Sequence, residues 1–246
     1  MIFKDHFSRQ SIDYAKFRPR YPRELFEFIA AAAPDNKRAL DCATGNGQAA
    51  VTLAEFFAQV IGIDASAEQI ASAQSNERVQ YLVAPAEASG LAARSCDALT
   101  VAQALHWFDL PGFYSEAKRV LKPRGVLAVW AYNELQITPE VEAVVRRFHD
   151  QVVGSFWPPE RKLVGRGYRE LPFPFEEIAT PPFQIEVDWT RERLLGYLRT
   201  WSATQRFFAA NGSDPVALIE DELEQVWGEA SERLAVWPLT VRVGRA

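Results

Sequence analysis

An aspartate and two closely spaced glycines stand in the stretch LDCATGNGQAAVTLA, residues 40 to 54. Asp41 closes an apolar run, Gly45 and Gly47 follow it, and an apolar helical pattern begins directly behind them. Glycines let a backbone approach a ligand closely, and the first turn of a helix offers N–H groups that have no partner within the helix. This pattern is typical of a strand, turn and helix that together bind a nucleotide or a nucleoside.

Two classes of ligand fit this loop. Gly45, Gly47 and Ala50 satisfy the G-x-G-x-x-A spacing of dinucleotide-binding proteins. Asp41 opposes that interpretation, because a carboxylate below the helix N-terminus would repel a diphosphate. Asp64 ends the next apolar run, where an acid accepts hydrogen bonds from the hydroxyls of a ribose. The residues therefore favour a nucleoside with a cationic tail and no diphosphate, a description that S-adenosylmethionine (SAM) fits.

The elements that would position these residues alternate between strand and helix from residue 38 onward. The strand candidates are RALDCA, QVIGID, RVQYLVA, CDALTVAQAL and GVLAVWAY, with FQIEVDW and PLTVRVGR near the C-terminal end. Helical patterns follow the first, second and fourth of them, which predicts right-handed crossovers and a parallel sheet with helices on both faces. We therefore predict a Rossmann-like α/β fold with a mostly parallel sheet of seven strands, which the last two strands complete as an antiparallel edge.

The composition disfavours several kinds of partner. The 246 residues carry a formal charge of −5, which opposes sequence-independent binding of nucleic acid. No apolar run approaches the roughly 18 residues of a membrane span, and the N-terminus MIFKDHFSRQ is charged too early for a secretory signal. Cys42 and Cys96 have neither metal nor redox spacing, so we expect no metal and a cytoplasmic protein.

The opening stretch resembles motif I of class I SAM-dependent methyltransferases, D/E-x-G-x-G-x-G, with Ala43 in place of the first glycine. Further segments follow in the family's order: GIDAS is similar to the acidic second motif and APAEASGL to the segment beside the adenine, and AQALHWF and EAKRVLKPRGVLAVW come after them. The resemblance covers residues 10 to 132. YAKFRPRYP and YLRTWSA also resemble a small-molecule branch that includes trans-aconitate methyltransferases.

The resemblance implies SAM as the cofactor and a set of contacts to it. Asp64 would hold the ribose, Ala86 and Glu87 would border the adenine, and the loop from Asp41 to Gly47 would hold the amino-acid tail. An N-terminal helix folds over the cofactor in the family, where the guanidinium of Arg18 would pair with the methionine carboxylate. The predicted cofactor-binding residues are Tyr14, Arg18, Asp41, Ala43, Gly45, Gly47, Gln48, Asp64, Ala65, Gln69, Ala86, Glu87 and Gln103.

The alternation of strands and helices stops after Tyr132, which marks an insertion. We predict one domain over residues 1–246: N-terminal lid helices (1–35), a SAM-binding core (36–132), a substrate-side helical insertion before the sixth strand (133–180), and the C-terminal part of the sheet and helices (181–246). The cations of the insertion either form a solvated face or hold an acidic substrate; they are Arg146, Arg147, Arg161, Lys162, Arg166 and Arg169.

His106 follows the fourth strand, where the methyl group would point toward the acceptor. It is the candidate catalytic residue, as a general base if the acceptor arrives protonated; otherwise it packs or hydrogen-bonds the substrate. Methyl transfer from a sulfonium is an in-line displacement, in which alignment supplies much of the acceleration. Trp107, Trp201 and Ser202 are predicted to line the substrate pocket.

The expected function is transfer of a methyl group from SAM to a small molecule, to an oxygen of a carboxylate or hydroxyl rather than to a nitrogen. Three alternatives stay open at this point. The chain is an NAD(P)-dependent oxidoreductase that uses the G-x-G-x-x-A loop, a protein that binds SAM without catalysis, or a methyltransferase of RNA or protein. The acidic net charge opposes the last alternative. The sequence does not determine the oligomeric state.

Overall fold

The computed structural model describes residues 17–132 and 134–246, so the cofactor contact predicted at Tyr14 lies outside the described residues. The strands are β1 (Arg38–Cys42), β2 (Gln59–Asp64), β3 (Val79–Val83), β4 (Cys96–Ala102), β5 (Leu121–Tyr132), β6 (Glu176–Ile178), β7 (Gln184–Trp189) and β8 (Arg233–Arg245). The α-helices are α1 (Arg23–Ala32), α2 (Gln48–Leu53), α3 (Ala67–Ala71), α4 (Leu110–Val120), α5 (Pro139–Arg147), α6 (Arg161–Gly165), α7 (Arg191–Arg199), α8 (Ser202–Asn211) and α9 (Glu220–Trp227). Within these residues, no helix combines the length and the apolar character that crossing a membrane requires.

The strands form one sheet in the order β3-β2-β1-β4-β5-β8-β6, and β7 also pairs with β8. The first five strands run parallel to one another, as the alternation of strands and helices predicts. The carboxyl ends of β1, β2 and β4 therefore meet along one side of the sheet. Ligands of doubly wound sheets bind in the crevice at these ends, so this side, which we call the carboxyl edge, is where the site is expected.

One position of the sheet is filled by two strands. β6 pairs with residues 243–245 and β7 with residues 233–238, both on the side of β8 that faces away from β5. Pro181 and Pro182 separate them, because proline has no N–H to donate to a neighbouring strand. The eight strands thus fill the seven predicted positions. The last two strands were predicted to form an antiparallel edge of the sheet. This is wrong in detail, because β8 alone among the described strands runs antiparallel to the others, and it lies inside the sheet between β5 and β6.

The side chains of β5 alternate between two cores, as the two faces of a strand require. Leu127 and Val129 pack on the face that α4 covers. Val126, Ala128 and Trp130 pack on the opposite face, which α1 and α2 cover. Helices on both faces confirm the predicted Rossmann-like architecture.

Helix α1 lies within the segment predicted as lid helices, of which the structure describes residues 17–35. Its Leu25, Phe26 and Ile29 are fully buried against the core beside α2. The Phe26 ring meets the edge of Trp130 with ring centroids 5.8 Å apart. α1 is therefore a layer of the core, because its apolar face requires burial against the sheet.

A third core joins the insertion to the C-terminal part of the chain. Val141 of α5 belongs to the same buried cluster as Trp189 of β7, Leu198 of α7 and Trp237 of β8. The insertion predicted for residues 133–180 ends earlier, since Glu176–Ile178 already pairs with β8. The segment from α5 to residue 175 is therefore packed against both the sheet and the last helices.

Asp41 is a charged side chain within the central strand β1 and is only 1% exposed. The hydroxyl of Thr100, its neighbour on β4, donates to Oδ1 at 2.7 Å, and the hydroxyl of Thr44 donates to Oδ2 at 2.6 Å. Burial raises the pKa of Asp41 to about 6, although the two hydroxyl groups act to lower it and the charge of Asp64 raises it further. Asp41 thus ties β4 and the end of β1 to the loop that follows.

The loop after β1 turns through left-handed backbone angles at alternate residues. φ is +52° at Ala43, +57° at Gly45 and +82° at Gly47. A residue with a Cβ loses about 1–2 kcal/mol in this region, whereas glycine does not. Ala43, where the methyltransferase motif has its first glycine, is therefore a strained position.

The Asp41→Asn variant is expected to remove part of the pH dependence of stability. The folded pKa of Asp41 is raised from 3.8 to about 6, so its contribution is fully present below pH 4 and is lost as the pH rises through 6. The wild-type free energy of unfolding should therefore fall relative to the variant by roughly 2.4 kcal/mol between pH 4 and pH 7. Urea unfolding of both proteins across this range measures the difference. Equal pH slopes would contradict the buried, ionising carboxylate.

The Ala43→Gly variant is expected to be more stable than the wild type by up to about 1 kcal/mol. Relief of the left-handed strain exceeds the extra entropy that glycine loses on folding, which is about 0.5–1 kcal/mol. Ala31→Gly, at an exposed position of helix α1, is the matched control and should be destabilising. Urea midpoints measure both changes, and equal losses in the two variants would show that Ala43 is unstrained.

Candidate active site

Asp64 ends β2 and connects the loops that follow β1 and β2. Its Oδ2 accepts from the Gly45 N–H and its Oδ1 from the Ser66 N–H, both at 2.9 Å. Ser66 in turn accepts from the Gln69 N–H and so caps helix α3. The carboxylate is 9% exposed, at the boundary between core and surface. A carboxylate oxygen accepts more than one hydrogen bond, so the structural role of Asp64 is compatible with the predicted ribose contact.

Gly45 leaves open space above the loop. A Cβ placed on Gly45 would meet no atom closer than Oε1 of Gln69, at 3.8 Å. A Cβ placed on Gly47 would instead collide with the Tyr81 hydroxyl, so Gly47 is required by packing within the chain. The backbone at Gly45 is therefore open on the side to which a Cβ would project. These residues fit an adenosyl cofactor.

Gln48 and Arg18 connect residues 17–22 to the carboxyl edge. Nε2 of Gln48 donates to the carbonyl of Pro19 at 3.2 Å. Nη1 of Arg18 donates to the Tyr132 hydroxyl at 3.2 Å, and its guanidinium lies 5.2 Å from the centroid of the Tyr197 ring. Gln48 thus holds residues 17–22 in place. The guanidinium of Arg18 lies beside Tyr132 and Tyr197.

Gln103 directly follows β4. Its φ is +56°, its N–H donates to the Trp130 carbonyl at 2.9 Å, and its Nε2 donates to the Tyr132 carbonyl at 3.0 Å. The predicted adenine residues lie apart from it. Ala86 is buried in the core beside α4, and the carboxylate of Glu87 accepts from the Asp109 N–H at the start of α4.

A cavity of about 80 Å³ lies beside the carboxyl edge. It brings together six residues that the sequence selected, namely Arg18, Gln103, His106, Trp107, Trp201 and Ser202. The insertion adds Trp157 and Arg161, and the tyrosines Tyr132 and Tyr197 complete the aromatic wall. The rings of Trp157 and Trp201 are in contact, with centroids 5.4 Å apart. The cavity is therefore lined by aromatic rings and two guanidinium groups.

Arg161 is the cation of the insertion that reaches this cavity. Burial lowers its pKa, and so does the positive charge of Arg18. Guanidinium remains protonated in proteins, so both residues bring positive charge to the cavity. The other five cations of the insertion face elsewhere: Arg147 pairs with Glu222, Arg166 pairs with Glu170, and Arg146, Lys162 and Arg169 are exposed.

His106 lies on the 3-10 turn Leu105–Trp107 that follows β4. Its Nδ1 is 2.9 Å from the hydroxyl of Tyr168, and its ring contacts Trp107 with centroids 4.5 Å apart. Burial lowers the pKa of His106 to about 3, and the charge of Arg161 acts in the same direction. The imidazole is therefore neutral at physiological pH, a state in which one ring nitrogen donates and the other accepts.

Sequence reasoning missed several residues of the site. Thr44 and Thr100 bind the Asp41 carboxylate. Thr44 follows Asp41 by three residues, a local signal that could have identified it. Thr100 reaches Asp41 only through the fold, since 59 residues separate them. Tyr168 was a candidate as an aromatic residue of the insertion, but its contact with His106, 62 residues away, was not predicted.

Comparison with known proteins agrees with this geometry. Residues 40–129 match the family described as "Methyltransferase domain". A Dictyostelium discoideum protein with a methyltransferase name is 35% identical over 90% of this chain and 86% of its own length. A Saccharomyces cerevisiae protein named as an S-adenosylmethionine-dependent methyltransferase is 30% identical over 55% of this chain and 50% of that protein.

A solved structure shows the same fold. It is described as a type II methyltransferase from Anaeromyxobacter dehalogenans, is 46% identical, and covers 93% of this chain and 98% of its own, with a TM-score of 0.87. The loop after β1, the acid that ends β2 and this likeness agree with one another. The chain belongs to the class I SAM-dependent methyltransferases, and SAM is its cofactor.

Proposed function

We propose that this methyltransferase acts on an oxygen of a small acidic molecule, as the resemblance to trans-aconitate methyltransferases suggests. The observation that supports this most directly is the cavity at the carboxyl edge, into which Arg18 and Arg161 bring positive charge. Guanidinium groups match carboxylates as two-pronged donors. A volume of about 80 Å³ also favours a small acceptor over a macromolecule.

The cofactor is held, in this proposal, by the loops after the first three strands of the sheet. Asp64 accepts hydrogen bonds from the ribose hydroxyls, the loop from Asp41 to Gly47 holds the amino-acid tail, and Ala86 and Glu87 border the adenine. Asp41 stays beneath the loop and favours a cationic tail through its charge. SAM supplies an electrophilic methyl group on a sulfonium.

The acceptor is held on the other side of Gln103. Arg161 binds an anionic group of the acceptor, while Arg18 faces the methionine carboxylate. Trp107 and Trp201 fix the orientation of the acceptor and exclude water, because methyl transfer in line depends on alignment. In this proposal residues 36–132 bind the cofactor, and the segment from α5 to residue 175 closes the acceptor side together with α7 and α8.

The alternatives raised by the sequence have less support. Membership of the methyltransferase family favours methyl transfer over the hydride transfer that the G-x-G-x-x-A spacing allows. The ionised Asp41 below the loop also opposes a diphosphate. An oxygen of a carboxylate suits the charge of the cavity better than an amine, whose protonated form Arg161 would repel.

The Asp64→Asn variant is expected to bind S-adenosylhomocysteine about 10- to 100-fold more weakly, since hydrogen bonds to a charged acceptor contribute about 1.5–3 kcal/mol. Calorimetric titration measures this, and the 2′-deoxy form of the ligand separates ribose binding from loop support. The wild type should discriminate against the 2′-deoxy ligand, and the variant should not. Ser66→Ala, which removes the neighbouring cap of α3, is the control and should keep the discrimination. Unchanged affinity in Asp64→Asn would remove the ribose assignment.

The wild type is expected to methylate members of a panel of small carboxylic acids and phenols, detected by the formation of S-adenosylhomocysteine. Arg161→Gln should raise KM for the acidic acceptors about tenfold or more, with unchanged affinity for S-adenosylhomocysteine, because one charged hydrogen-bonding group is lost. Arg166→Gln is the matched control, since Arg166 pairs with Glu170 on the surface. Methyl incorporation into RNA or protein, and into none of the small acids, would contradict the proposal.

A further inference from the structure

We propose that Tyr168 holds His106 in the tautomer that carries its proton on Nε2, so that His106 offers a hydrogen-bond donor to the acceptor and does not act as its general base. This inference rests on the proposed function and deepens it. Tyr168 is then a positioning residue, because it acts on the acceptor through His106.

The phenol of Tyr168 is fixed from several directions. Its side chain is 1% exposed, and its ring centroid lies 6.0 Å from that of His106. Its carbonyl accepts from Nη1 of Arg242 on β8 at 3.1 Å, and its N–H donates to the Leu163 carbonyl at 3.1 Å. Helix α6 packs directly on the turn that carries His106. The hydroxyl is therefore held beside Nδ1 by the sheet and by the insertion.

The surroundings of the phenolic oxygen decide which group donates. Burial raises the pKa of the Tyr168 phenol well above its usual range, so the oxygen keeps its proton. Nδ1 of His106, at 2.9 Å, is the acceptor that the structure places beside this O–H. A proton on Nδ1 would leave the buried O–H unsatisfied, which is unfavourable.

A neutral imidazole that accepts at Nδ1 must carry its proton on Nε2. Among the described residues, the charged or titratable groups that face the ring are Arg161 and Tyr168. Burial together with Arg161 keeps the pKa of His106 far below neutral pH. The ring thus presents an N–H and no lone pair on its Nε2 side. A general base at Nε2 would first need the proton moved to Nδ1, against the bond to Tyr168.

The consequence concerns the acceptor. With no base available at His106, the attacking oxygen must be ionised before it binds, as a carboxylate is at neutral pH. The carboxylate oxygen supplies the electron pair of the new O–C bond. The S–C bond breaks with its electron pair on sulfur, which becomes a neutral thioether, and no proton is transferred. An N–H donor from His106 would orient the carboxylate, and Arg161 would balance its charge.

The tautomer can be measured without any acceptor. The full chain contains three histidines, so ring ¹⁵N labelling gives few signals, and His106→Gln identifies those of His106. We expect protonated Nε2 and unprotonated Nδ1 in the wild type, and a mixture of tautomers in Tyr168→Phe. Tyr114→Phe is the matched control, since that buried phenol donates to the Pro172 carbonyl; the His106 signals should not change. A proton on Nδ1 in the wild type overturns the proposal, even if Tyr168→Phe does not fold.

Kinetics on an accepted substrate separates a donor from a base. Glutamine retains an N–H donor, so His106→Gln should keep kcat within about threefold, whereas His106→Ala should raise KM for the acceptor about tenfold. A general base contributes about 10²- to 10⁴-fold, so a loss of kcat above a hundredfold in His106→Gln would also overturn the proposal. The ¹⁵N signals decide the tautomer even when no tested acid is methylated, so a failure of the proposed function is recognised separately.

Discussion

Two carboxylates hold the loop on which the site is built. Asp41 accepts hydrogen bonds from the hydroxyl groups of Thr44 and Thr100, and Asp64 accepts one from the N–H of Gly45. Buried charges persist only when polar donors surround them, and the raised pKa of Asp41 shows how unfavourable the burial remains. The same negative charge favours a ligand with a cationic tail over a diphosphate. The shape of the loop and the choice of ligand therefore depend on the same charges.

The acceptor side depends instead on contacts between distant parts of the chain. Arg242 of β8 donates to the carbonyl of Tyr168 and pairs with Glu177 of β6. Tyr168 in turn reaches His106, on the turn after β4. The strand that runs against the others thus connects the far edge of the sheet to the cavity. The contacts of Arg242 therefore fix the position of the insertion relative to the sheet, although the described residues of the insertion do not pair with any of the parallel strands β1–β5.

The parts of the structure that the sequence predicted are those with local signals. The apolar strand, the acid and the glycines of the opening stretch lie within fifteen residues, and the fold and family they predicted are confirmed. The role of α1 could not be predicted, because an amphipathic helix serves a lid and a core layer equally well. The same holds for Arg161, since nothing in its neighbourhood distinguishes it from the other five cations of the insertion. Long-range packing decided both.

This division explains why the chemistry is easier to predict than the substrate. The cofactor loop depends on left-handed backbone angles and on two acids. Few other residue types can provide either, so the sequence pattern of the loop is recognisable. The cavity is assembled from five segments, around Arg18, His106, Tyr132, Arg161 and Trp201, that are separated by about 25 to 90 residues. A change of one ring or cation in any segment alters the acceptor that fits and leaves the loop intact. Substrate preference in such a protein is therefore a property of packing, and it has no short motif by which it can be recognised.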